Sequence, residues 1–183
     1  MASYDTQDTR ETHELRDGQE ADDAPDTYDK LIALLDEHGA DYRVIEHAPE
    51  GATEAVSRLR GHEPARAAKC IVVMVKIGKK EKRFALAVVP GDKRVDLAAV
   101  KALYSGTYAS FASPEIAEEL AGSRSGTILP FSFDERLELV VDPALLAHPE
   151  FFFNAARLDR SLALSTADYR SIADPRLEPV AQD

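Results

Sequence analysis

The chain has no tryptophan and a single cysteine in 183 residues. Cys70 alone cannot form an intrachain disulfide, and inside an apolar run it reads as a small core residue of a reducing compartment. No apolar run approaches the ~18 residues of a membrane span, and no basic-then-apolar leader opens the sequence. A soluble, cytoplasmic protein is expected, with no membrane partner. The five histidines, His13, His38, His47, His62 and His148, stand apart without zinc spacing, which argues against a structural metal. Internal repeats are absent too. Basic residues are in short supply: the formal net charge is −11. Residues 1–27 supply seven of those negative charges, with nine acids against Arg10 and Arg16, and Leu15 is their one large aliphatic side chain. Such a segment cannot bury enough apolar surface to offset its ordering entropy, so residues 1–27 read as a disordered acidic tail. Residues 28–175 then form one domain, and residues 176–183 a C-terminal tail.

What is present is organised around residues 67–75, an apolar run with one ammonium near its start. Strand alternation sends Lys69, Ile71, Val73 and Val75 to one face, and Cys70, Val72 and Met74 to the other. Both faces are apolar, so the strand is central. Lys69 therefore either snorkels out of the sheet end or faces a pocket and meets an anionic or carbonyl-bearing ligand.

Around this strand the other elements read from their caps and stops. Residues 28–38 form a helix capped by Asp26 or Thr27 and stopped by Gly39. Residues 42–47 form a short strand, and His47 at its end is either a site residue or a surface histidine. A helix over 53–59 follows. The Lys69 strand turns through the charged loop 78–82 into a second apolar strand over 83–89, a hairpin. Asp96 caps a helix over 97–104, Ser113 and Pro114 open another, and Ser165 with Asp168 resembles a capping box for a last helix. Two further strands are read at 137–141 and 162–164. Between them lie Phe151, Phe152 and Phe153, which must be largely core, and Asn154, a turn residue by type. In the loop 122–131, Gly126 either is a plain connection or lets backbone N–H groups approach a ligand, with Pro130 stiffening the exit. The expected fold class is α/β (α+β): a mixed, mainly antiparallel curled sheet with flanking helices.

Three stretches, Ala68-Lys69-Cys70-Ile71-Val72, Gly126-Thr127-Ile128-Leu129-Pro130-Phe131 and Phe152-Phe153-Asn154-Ala155-Ala156-Arg157-Leu158-Asp159, resemble in order and spacing the YbaK-like aminoacyl-tRNA deacylases. These are relatives of the editing domain of bacterial prolyl-tRNA synthetases. The resemblance implies a trans-editing hydrolase that cleaves the ester of misacylated tRNA with a positioned water, without metal or organic cofactor. It implies Lys69 as the catalytic lysine holding the terminal adenosine and ester. Gly126, Thr127, Ile128 and Pro130 are implied as the loop around the aminoacyl group, with Asn154 and His47 as further substrate contacts. Aminoacyl-tRNA is the implied partner, together with an aminoacyl-tRNA synthetase, and DNA is not. Two departures stand out. Ala156 replaces a glycine common in relatives, and the late histidine of many alanyl-tRNA editors is missing after Phe151, so alanine is not named as the substrate. Ile128 and Leu129 suit an apolar pocket for a small amino acid, filtered by size. The alternative is a non-catalytic tRNA- or synthetase-binding module that keeps the pocket. Cations such as Arg58, Arg60, Arg66 and Arg124, and Lys76, Lys79, Lys80 and Lys82 on the hairpin, form either a tRNA-binding patch or a solvated scatter.

Overall fold

The computed structural model describes residues 26–183. The acidic segment expected to be a disordered tail lies, up to residue 25, outside the described residues. Asp26 caps α1 (Thr27–Glu37) by accepting from the Asp29 N–H, and Leu31 and Leu35 on its inner face are fully buried. Then come β1 (Tyr42–Glu46) and α2 (Thr53–Arg60). β2 (Ala68–Ile77) and β3 (Glu81–Pro90) form the antiparallel hairpin, with Lys69 opposite Val89. β4 (Arg94–Val95) leads into α3 (Leu97–Leu103), which Asp96 caps at the Ala99 N–H. β5 (Tyr108–Phe111) precedes α4 (Pro114–Ala121), which has Ser113 as its cap. Beyond the loop follow β6 (Leu137–Val141), β7 (Glu150–Asn154), β8 (Arg160–Ser165) and α5 (Thr166–Ala173), capped by Ser165. β9 (Arg176–Leu177) and β10 (Ala181–Gln182) complete the chain.

The main sheet has the order β5-β2-β3-β6-β9 and a second the order β1-β8-β7; β10 and β4 make a small two-stranded pair. The β3–β6 and β6–β9 pairs are parallel and the other pairs antiparallel, as expected of a mixed, mainly antiparallel sheet. A bridge between Ala67 and Phe152 ties the start of β2 to β7, so the two larger sheets join at that corner. The alternation along β2 separates two cores. Val72 joins Leu86, Phe151, Phe153 and Tyr169 between the sheets and α1, whereas Val73 and Val75 pack with Ala85, Ala87, Val100 and Val180 under α3. β2 is thus covered on both sides, and its first residues emerge between the two cores.

Two sequence-based expectations change. Residues 176–183 are not a tail. β9 extends the main sheet along β6, β10 pairs with β4, and Val180 is 0% exposed. The cause is Asp142, a buried carboxylate whose Oδ2 accepts from the Val180 and Ala181 N–H groups, each at 2.9 Å. In a short stretch whose large aliphatic side chains are only Leu177 and Val180, no periodicity announces such a brace. The second finding concerns Ala156, noted above as a departure from the resemblance. Its φ is 59°, so the left-handed backbone a glycine would adopt freely is kept by an L-residue, at a cost of about 1–2 kcal/mol.

Candidate active site

A cavity of ≈ 250 Å³ opens where the first residues of β2, the start of α2, the loop at Gly126 and the end of β7 converge. Ala68, Lys69, Cys70 and Ile71 form one wall, Gly51 to Thr53 with Val56 and Arg60 another, and Gly126, Ile128 and Asn154 close it. No carboxylate lines it. Glu50, next to it, turns its carboxylate onto the Gly51 and Ala52 N–H groups at 2.9 and 2.8 Å. Ala52, the N-cap of α2, offers no side-chain acceptor, so the first-turn N–H groups of that helix are left for water or a ligand.

Lys69 is half-buried, and its Nζ donates to the Lys93 carbonyl at 2.6 Å. Burial lowers its pKa from the ordinary lysine value; Asp92 pulls it back up and Arg94 adds to the fall. The ammonium is held by a neutral oxygen, which leaves its charge available to a ligand. Cys70, also on the wall, has its thiol pushed well above the ordinary value by burial, so a thiolate nucleophile is not populated at neutral pH.

Asn154 ties the far wall together. Its Nδ2 donates to the Glu50 and Gly126 carbonyls, both at 2.9 Å, and its Oδ1 accepts from the Ser161 hydroxyl at 3.0 Å. This draws the backbones of Gly51 and Gly126 into contact. A Cβ at Gly126 would stand 3.2 Å from the Gly51 Cα, and its φ of 87° is one that side chains resist.

Behind Asn154 lies a polar chain. Arg60 donates from Nη1 to Ser161 Oγ at 3.0 Å and from Nε to His62 Nε2 at 2.9 Å. His62 donates from Nδ1 to the Glu63 carbonyl at 2.8 Å and stacks on Phe152 at 3.8 Å between ring centroids. His62 is therefore the neutral tautomer with its proton on Nδ1. Burial first, and then Arg60 and Arg66, lower its pKa against the opposing pull of the Glu63 carbonyl and Glu150. Burial brings the Arg60 pKa down to about 10.

Of the residues expected at the site, Lys69, Gly126, Ile128 and Asn154 line the cavity. Thr127, Pro130 and His47 do not. Thr127 is 2% exposed and bends its hydroxyl back to the Arg124 carbonyl at 2.7 Å. Pro130 is buried, and its carbonyl accepts from the Tyr169 hydroxyl at 2.6 Å. These two hold the loop from beneath. His47 stands one shell back: its Nε2 is 2.7 Å from Ser161 Oγ and its Nδ1 2.8 Å from the Ala48 carbonyl. Gly51, Thr53 and Ser161 carried no signal in the sequence, and Arg60 stood out there only as one of several scattered cations.

Residues 47–172 match the aminoacyl-tRNA editing domain family, and the chain belongs to that family. Within it, the chain is 44% identical over 152 residues to the Multifunctional Ser/Thr-tRNA deacylase ProXp-y of Escherichia coli (strain K12), covering 82% of this chain and 90% of that one. Among solved structures it resembles the hypothetical protein APE2540, with a TM-score of 0.75, 21% identity and coverage of 84% of this chain and 99% of that one. It also resembles a candidate trans-editing enzyme for prolyl-tRNA synthetase, with a TM-score of 0.71, 20% identity and coverage of 87% and 99%. At these identities the two structures speak for the fold.

Proposed function

We propose that the cavity removes a small, hydroxyl-bearing amino acid, serine or threonine, from tRNA that carries it wrongly. The chain is a trans-editing aminoacyl-tRNA deacylase: it hydrolyses the ester between an amino acid and the tRNA 3′ end. Water adds to the ester carbonyl carbon, the bond from that carbon to the ribose oxygen breaks, the ribose oxygen takes up a proton, and the amino acid leaves. An activated ester asks mainly for a placed water and for dipoles aimed at the developing oxyanion. The open N–H groups of α2 and the Lys69 ammonium are donors of that kind. With Cys70 held as a thiol, no side-chain nucleophile is needed.

The observation that carries the reading is the cavity's charge. In an acidic chain, a wall without carboxylates holds two sheltered cations, Lys69 and Arg60, whose partners are neutral. Such a site suits a polyanion's end. The choice of serine and threonine rests on the relative's substrates, on the small volume, and on a lining that combines Thr53 with the apolar Val56 and Ile128. A freestanding editor meets its substrate as a synthetase releases it, so an aminoacyl-tRNA synthetase is the partner and the cytoplasm the compartment this reading implies. No helix among the described residues is long and apolar enough to cross a membrane. The test is release of labelled amino acid from a panel of misacylated tRNAs. Turnover is expected on seryl- and threonyl-tRNA; affinity without turnover on any member would make the protein a binding module.

A further inference from the structure

Arg60 is built into the cavity in a way that hydrolysis of the ester does not explain. Other sheltered arginines among the described residues have carboxylates: Arg66 meets Glu150 and Arg160 meets Glu46. Arg94, Arg124 and Arg170, which have no side-chain carboxylate within salt-bridge distance, are exposed to solvent. Arg60 alone among the described arginines is both sheltered and without a carboxylate. Taking a guanidinium out of water without a counter-charge is costly, and the fold accepts that cost while fixing the group's orientation from two sides. His62 takes the Nε proton, and Ser161, itself 0% exposed, takes one Nη1 proton. Three of the five N–H donors of the guanidinium remain, on a side chain that lines the cavity.

Resting on the functional reading above, we propose that Arg60 binds the phosphodiester on the 5′ side of the tRNA's terminal adenosine. One ribose separates that phosphate from the 3′ ester, so a cavity that takes the ester at Lys69 brings the phosphate within the same enclosure. The planar fork of an arginine matches two phosphate oxygens at once, which an ammonium cannot do. The bound phosphate supplies the counter-charge that the protein withholds, and Arg60 then sets how deep the 3′ end enters.

The experiment compares two substrates that differ in that phosphate: aminoacyl-tRNA, and adenosine carrying the same amino acid on its 3′ oxygen. For Arg60→Ala, KM for aminoacyl-tRNA is expected to rise about tenfold or more with kcat nearly unchanged. The ratio of wild-type to variant kcat/KM on the adenosine ester is expected to fall to about twofold. The slope of log KM against log salt should shrink by about 0.7, the value for one phosphate of a single strand. Arg60→Lys, which keeps the charge and loses the fork, should recover part of the KM, and it carries the test if Arg60→Ala does not fold. Equal losses on both substrates would place Arg60 at the ester or in the cavity's framework and overturn the proposal, as would an unchanged KM for aminoacyl-tRNA. If the wild type cleaves no misacylated tRNA, the functional reading fails separately. Arg60 is then judged by affinity for the uncharged trinucleotide CCA: about tenfold weaker binding in Arg60→Ala supports the phosphate contact, and equal binding overturns it.

Discussion

β2 is basic at both ends, and the ends differ in what surrounds the charge. At its start Lys69 is half-buried, its amine fixed on a carbonyl oxygen, with Arg60 across the same cavity held by a serine and a histidine. Roughly 25 Å further along the strand, Lys76 lies over the Tyr108 ring, and Lys79, Lys80 and Lys82 stand exposed around the turn. The sequence shows more cations at the turn than at the start. What separates the two is partial desolvation on neutral hydrogen-bond partners, a property of the fold that a count of lysines cannot carry. On the function proposed above, the start of β2 carries the chemistry and the turn a solvated role.

The sharpest way to break this contrast is Lys69→Ala, for which we expect kcat/KM on misacylated tRNA to fall at least about 100-fold while the circular dichroism spectrum and melting temperature stay close to wild type. A folded Lys69→Ala with full turnover would falsify the assignment. The next largest effect concerns the C-terminal brace on Asp142. Deleting residues 176–183 removes the buried Val180 and leaves the Asp142 carboxylate without two of its donors, so stability should drop by about 3 kcal/mol or more in urea titrations. If the deletion melts like the full chain, the pocket end is less dependent on its surroundings than the structure implies.

Gly126→Val comes third, with an expected loss of roughly tenfold to 100-fold in kcat/KM, because the new Cβ meets the Gly51 backbone at a φ of 87°. Its control, Gly122→Ala, also has a positive φ and would press on the Thr27 hydroxyl. It should cost about 1 kcal/mol of stability and little activity. Similar mild effects at both glycines would reduce the Gly126 loop to a connection.

The pH dependence gives a smaller and signed effect. Because burial lowers the His62 pKa, the folded protein binds fewer protons there than the unfolded chain does. That contribution to stability is complete above the ordinary histidine value near 6.5 and is lost as pH falls through the depressed folded value. Protonated His62 also presents an N–H to the Arg60 Nε–H. KM should thus rise by a few-fold as the pH falls through the depressed His62 value, and His62→Gln, which keeps a neutral acceptor, should flatten that rise. The smallest effect belongs to the turn: replacing Lys79, Lys80 and Lys82 by serine should change kcat/KM by no more than about twofold at physiological salt. A loss approaching that of Lys69→Ala would erase the distinction between the two ends.

Local signals in the sequence carried much of the architecture. Asp26, Asp96, Ser113 and Ser165 all cap the helices they were expected to cap, because a cap is written within four residues. The two apolar faces of β2 correspond to two separate cores for the same reason. Lys69, Gly126, Ile128 and Asn154, expected at the site from three short stretches, line the cavity. Thr127 and Pro130 do not line it, because a loop's side-chain directions are set by what packs beneath it, here the Arg124 carbonyl and Tyr169. Arg60 and Ser161 are about a hundred residues apart, and their contact is invisible until β8 lies beside β1 and β7. The brace at Val180 was missed likewise, being written in Asp142, far earlier in the chain.

The pairing of β1 with β8, Tyr42 opposite Leu164, also bears on how the protein comes into being. The cavity draws on residues 51–60, 68–71, 126–128 and 154, and Ser161, which orients two of its side chains, is on β8. Closing loops of this length precedes any reward from the contacts they make, so folding is expected to be slow for the chain's size. During synthesis β1 waits without its partner until β8 has left the ribosome, an exposed strand in the interval. Editing capacity then arises in one step with the completed fold, and a partly made chain holds no partial version of the site.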